Sequence, residues 1–195
     1  ILTGSSTPKT KGILHSGTGR IVSLKMNTMS LYESGDSTGL ISLKELCNGL
    51  LEPTMLEEVS LEKIAYLIVR GGWPENIKVD SDNAHIMPRA YMSNIIKEDL
   101  NKLDDDIEYN QHKTTLLLKS LARNESTTIS DKKILDDIIE NDNESMSRNT
   151  IAKYLESLNR LFVLNNQMPF STNIRSSLRV KQMEKRHFAD PAMAC

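Results

Sequence analysis

The stretch SRNTIAKYLESLNRLFVL (147–164) constrains the fold more than any other in the chain. Ile151, Tyr154, Leu155, Leu158 and Leu161 recur three or four residues apart, which places them on one stripe of an α-helix. A helix of this length owes its stability to packing of that stripe, so other elements must cover it. Two upstream segments fit the need. KTTLLLKSLARN (113–124) reads as a first helix, and KKILDDIIE (132–140), capped by Asp131, as a second. After the third helix, Phe162–Leu164 turns strand-like, and KRHFAD (185–190) offers a partner strand. Three helices followed by a hairpin is the order of a winged helix, which predicts a winged-helix-like domain over 111–190.

Upstream the pattern is mixed. Ile1–Thr3 reads as the end of a strand, Lys9–His15 as a helix and IVSLKMNTMSL (21–31) as an alternating strand. A Gly/Ser/Asp loop at Glu33–Gly39 leads to a short helix around 43–49. Ser60 is a good N-cap for LEKIAYLIVR, which sets Leu61, Ile64, Ala65 and Ile68 on one face, and Gly71 supplies a left-handed stop. A further helix is expected over about 83–101, interrupted or restarted at Pro88. LDDDIEYNQH (103–112) reads as a solvated acidic linker.

Composition narrows the function classes. Hydrophobic residues make up 38% and aromatics only 5%, so cores must rest on Leu, Ile and Met. The net charge of −2 excludes a uniformly basic nucleic-acid binder but not a local patch. Charge is unevenly spread: 97–144 holds 7 Lys and Arg against 13 Asp and Glu, whereas 151–195 holds 7 against 3. Cys47 and Cys195 lie too far apart in sequence to suggest a disulfide framework or zinc site, which points to a reducing cytoplasm. No apolar run approaches the ~18 residues of a membrane span. Both ends are abrupt, so the expectation is a piece of a longer protein.

The histidines (His15, His85, His112 and His187) are scattered without a metal-ligand pattern, and no metal is expected. Asp104, Asp105, Asp106 and Glu108 form a charge run, and no serine sits in a Gly-x-Ser-x-Gly elbow. Gly12-x-x-x-x-Gly17 matches half of a P-loop. Yet Thr18-Gly19-Arg20 follows where Lys-Ser/Thr is needed, and the run enters a strand instead of leaving one. It is not a P-loop. The order strand (ILTGSS), helix, arginine (SGTGR), strand (IVSLKMNTMSL) fits the end of an AAA+ or STAND-type ATPase core. There Ser5 (or Thr3) would be a sensor near the γ-phosphate, and Arg20 would touch a neighbouring subunit's phosphate. An ordinary strand–loop–helix with a surface arginine fits the same residues.

SGTGRIVSLKMNTMSLYESGDSTGLISL (16–43), IAYLIVRGGWPENI, LLLKSLARNESTTIS, TIAKYLESLNRLFVL and KRHFADPAMA together resemble a large bacterial and archaeal family of predicted AAA+-type ATPases with an uncharacterised C-terminal domain. The resemblance covers nearly the whole chain. It implies an α/β fragment plus mainly α architecture: the end of a P-loop ATPase core over 1–50, a helical lid with the acidic linker over 51–110, and the winged helix over 111–190. It further implies that the P-loop lysine and metal-binding acids precede Ile1, that a nuclease-like fold follows Pro191, and that ATP and Mg belong to the intact protein. This chain by itself is then expected to bind neither and to be inactive. GGWPENI resembles the Gly-x-Pro element that packs on nucleotide, with Gly72 and Pro74 at its fixed positions and Trp73 at the variable one. A helix stop and turn explain the same residues.

For nucleic acid, the third helix offers Arg148, Asn149, Lys153, Ser157 and Arg160. The presumed wing adds Arg175, Arg179, Lys181, Lys185 and Arg186. Glu156 sits on the same helix face and no Gln or Arg cluster commits it to base readout, so a protein-contact or lid role stands beside DNA binding. The expected function is therefore the C-terminal part of an ATPase, cytoplasmic, with weak duplex DNA contact and a homo-oligomer as arrangements open to it. The alternative is a winged-helix DNA-binding or protein-interaction module without ATPase activity.

Overall fold

The computed structural model describes residues 3–7, 20, 22, 24–50, 52, 54–55, 58–103, 107–170 and 182–195. Among them the chain is mainly helical. The expected helix at Lys9–His15 and the wing residues Arg175, Arg179 and Lys181 lie outside the described residues, as do Asp104–Asp106 and the whole Gly12–Gly17 motif.

Helix α1 spans Leu43–Cys47 and α2 spans Leu61–Arg70. The Ser60 side chain caps α2 by accepting from the Lys63 N–H, and Gly71 ends it at φ 66°. That conformation is open to glycine at little cost, as the sequence predicts. Helix α3 (Ile86–Asn94) continues through one π-helical turn (Ile95–Asp99) into α4 (Leu100–Leu103). Pro88 does not interrupt it. The proline is the third residue of α3, where its missing N–H has no intrahelical partner to lose.

Helices α5 (Gln111–Arg123), α6 (Asp131–Asp142) and α7 (Arg148–Arg160) follow. Ser130, not Asp131, caps α6, and Ser147 caps α7. All five stripe residues of 147–164 are buried, packed with Leu117, Leu121, Ile134 and Ile138 from α5 and α6. Tyr109 closes one end of this core. Its ring lies 5.1 Å from that of Tyr154, and its hydroxyl meets Ser157 Oγ at 2.6 Å. The linker beside the acidic run is thus anchored, not merely solvated. At the far end of α7 the N–H groups of Phe162 and Val163 return to Asn159 and Leu158, with Phe162 in the left-handed region at φ 58°.

A short antiparallel ladder completes this half. Segment 185–189 pairs on one side with 163–167, through the bridges Leu164–Phe188 and Gln167–Lys185. On its other side Ser126 and Thr127, between α5 and α6, exchange backbone hydrogen bonds with Arg186 at 2.9 and 2.8 Å. The expected strand 21–31 takes no part in a ladder among the described residues. Val22 and 24–30 hold no regular secondary structure, and 31–35 forms a turn.

Candidate functional site

Of the described candidates, Gly72 and Pro74 lie on the turn Gly71–Gly72–Trp73–Pro74. Both hydrogen-bonding groups of Gly72 are engaged. Its N–H donates to the Oδ2 of Asp190 at 2.8 Å, and its carbonyl accepts from the Met29 N–H at 2.8 Å. A Cβ on Gly72 would run into the Met29 backbone, and one on Gly71 into Asp190 and the Trp73 ring. Both glycines are therefore required by close packing. Asp190 is buried, and its Oδ1 also accepts from the Ala192 N–H at 3.0 Å, capping the short 3-10 helix Pro191–Ala194.

Neighbouring residues fix the turn from the other side. Asn76 is buried and donates from Nδ2 to the carbonyls of Arg70 (2.7 Å) and Ala84 (2.8 Å). Arg70, also buried, ion-pairs with Asp36 at 2.7 Å and donates to Ser34 Oγ, holding the loop around 34–36 against the end of α2. Lys63 pairs with the second oxygen of Asp36 at 2.8 Å. Burial works against the charged form of Asp36, but hydrogen bonds from Lys63, Arg70 and Ser34 outweigh it and hold the carboxyl far below its ordinary pKa.

With the Gly72 N–H committed to a buried carboxylate, the turn is no phosphate cradle. Pro74 is exposed and Trp73 half-buried, 5.8 Å from the Tyr91 ring, so only the outer rim of the turn could meet a nucleotide. Ser5 and Arg20 are exposed, and neither is brought to this turn by a hydrogen bond or ion pair among the described residues. The described residues therefore do not by themselves fit ATP and Mg. They include no group of three His, Cys, Asp or Glu able to hold a metal.

On α7, Arg148 and Lys153 are exposed and Arg160 is half-buried. The Arg160 carbonyl accepts from the Thr7 N–H at 2.9 Å, so the N-terminal segment crosses this end of the helix. Arg186, expected on the wing as a free cation, is instead buried. It is bonded to Asp131 (2.7 Å) and Glu184 (3.0 Å), because the ladder turns its side chain back toward the start of α6. Glu156 shares a shallow depression with Asp131, Glu184 and Arg186.

Sequence reasoning missed Asp36, Arg70 and Asp190. For Asp190 a signal was present, since an Asp directly before Pro191 is a helix-start pattern. Arg70 gave none, because a cation in a last helical turn reads as an ordinary favourable end charge.

The model of a family described as a domain of unknown function (DUF8612) matches residues 61–195. The chain belongs to that family. The matched span opens at the first residue of α2 and contains the whole buried core. No curated protein and no solved structure matches the chain. No helix among the described residues is long and apolar enough to cross a membrane.

Proposed function

We propose that this chain is the lid and winged-helix part of an AAA+/STAND-like ATPase, in which the winged helix makes a protein contact. The observation that carries the reading is the path of the chain from α5 to Ala189. Helix α5, the segment 126–127, helices α6 and α7, and the segments 163–167 and 185–189 follow one another. The last segment bonds to both of the other two, an arrangement that supports the winged-helix reading. The ATPase assignment draws support from the segment before the turn at 31–35, whose Val22, Leu24 and Met26 are more than nine-tenths exposed. A strand of a parallel core sheet has this apolar character and needs neighbours on its faces. In this reading Arg20 acts on a neighbouring subunit's nucleotide, and Gly72 shapes the turn whose outer rim, Trp73 and Pro74, faces the nucleotide.

A protein contact is favoured over DNA because Glu156, Glu184 and Asp131 surround the middle of α7 and Arg186 is already paired. Duplex binding is then weak and non-specific, with a Kd of about 10⁻⁴–10⁻⁶ M at physiological salt. Calorimetry with ATP tests the main reading. The 195-residue chain should bind no tighter than about millimolar, roughly −4 kcal/mol, while the longer protein binds far more tightly. Equal affinity in the two would refute the division of labour. In the longer protein Arg20→Ala should lower turnover by about 10³-fold with affinity kept.

A further inference from the structure

A groove of about 510 Å3 runs between α3 with its π-turn and α5, closed at one end by the 3-10 helix Pro191–Ala194. Its floor is apolar: Met92, Ile96, Leu118 and Met193 all lie on or against the core. Its walls carry Arg89 and Lys97 on one side and Lys119 on the other. All three are exposed, and none has a side-chain hydrogen bond or ion pair among the described residues. Among the described residues no Asp or Glu lines the groove. That is unusual for its surroundings, because residues 97–144 are strongly acidic. A concave apolar floor between unpaired cations suits an amphipathic helix with carboxylates at its edge.

The chain itself displays such a helix. On α2, Leu61 (79% exposed), Ile64 (41%) and Ile68 (42%) form an apolar stripe one side-chain row wide. Glu62 on the helix and Glu58 just before its cap are exposed, while Lys63 is held by Asp36 and Arg70 is buried. We infer that the groove receives the α2 stripe of a second copy of this chain, with Glu58 and Glu62 meeting the groove cations. Groove and stripe are different surfaces, so the contact is heterologous and propagates until it closes into a ring. The inference is independent of any nucleotide.

Sedimentation equilibrium of the 195-residue chain tests it. Reversible association that rises with concentration and weakens with added salt is expected. Arg89→Glu with Lys119→Glu should weaken association by about tenfold or more, and Glu58→Lys with Glu62→Lys should do the same. All the altered positions are exposed, so an unchanged melting curve verifies that each variant folds. Mixing the two double variants should restore association, because each supplies the complement of the other. A chain that stays monomeric at every concentration would overturn the inference, as would a mixture that fails to recover. Binding to anionic lipid vesicles without self-association would also overturn it and assign the cations to a membrane surface.

Discussion

Residues before Ser60 and residues after it use the same apolar alphabet to opposite ends. Among the described residues of the first segment none is buried, and Val22, Leu24 and Met26 are almost fully exposed. From Arg70 onward burial begins, and the core cluster from Ile95 to Met193 is continuous, with α5, α6 and α7 at its centre. The first segment is attached instead by polar contacts. Met29 bonds to Gly72, Thr28 to the Ala189 carbonyl, Lys25 to Asn165, Thr7 to Arg160, and Asp36 to Arg70. A net hydrogen bond contributes about 0.5–1.5 kcal/mol and a buried Leu about 1.5–3 kcal/mol. Among the described residues the second region therefore supplies the stability, and the first is held to it by these polar contacts. The family match begins at the same boundary.

The comparison breaks most visibly if the core is not the source of stability. Leu117 is fully buried in α5, so Leu117→Ala should cost about 2–5 kcal/mol in a urea titration. A loss under about 1 kcal/mol, the size of an ordinary substitution, would mean that the helices are not the folding unit. Asp190→Ala comes next. It leaves the N–H groups of Gly72 and Ala192 without their acceptor inside the protein, at a cost of about 1–3 kcal/mol. Gly72→Ala probes the attachment alone. The added methyl displaces the Met29 backbone, so hydrogen exchange at the Met29 amide should accelerate while amides of α7 keep their protection. Equal acceleration in α7 would show that the two regions open together.

How far the sequence could be read follows the same division. The stripe of α7, the caps Ser60 and Gly71 and the pairing of KRHFAD with 163–167 were legible, because each is a local pattern with one physical solution. Strand-like alternation at 21–31 was also legible, but alternation states only that a strand would have an apolar face. It does not supply the neighbouring strand, and none lies beside it among the described residues. Arg186 was misread because a basic residue in a hairpin is exposed by default. Its fate was set by Asp131, 55 positions away. The turn at Gly72 was recognised as special, yet its partners Met29 and Asp190 are long-range and left no local mark.

Acid should weaken the attachment before the core. Asp36 has a folded pKa well below its unfolded value, so its pairing stabilises the protein fully above the unfolded carboxylate pKa of about 3.9. That contribution is lost as pH falls below this value toward the folded pKa. Asp36→Asn should accordingly be less stable than the parent at neutral pH, with the gap narrowing below about pH 4. A gap that stays constant from pH 7 into acid would mean that the carboxylate charge is not what Arg70 and Lys63 hold.

The smallest expected effect sharpens the contrast furthest. Leu24 is 95% exposed and Met26 92%, so Leu24→Ser with Met26→Ser removes apolar surface that folding leaves in water. Stability of the 195-residue chain should move by no more than about 0.5 kcal/mol, the usual range for surface changes. The same pair of changes has a different meaning in the proposed longer ATPase. There the segment is a strand packed in a core sheet, and removing the two side chains should cost about 1.5–3 kcal/mol for each one buried. Thermal unfolding of both proteins with and without the pair of substitutions separates the cases. A neutral result in both would leave the segment as an exposed strap with no sheet to join. A neutral result here with a large loss there would show that its apolar face is buried only when the rest of the core is present.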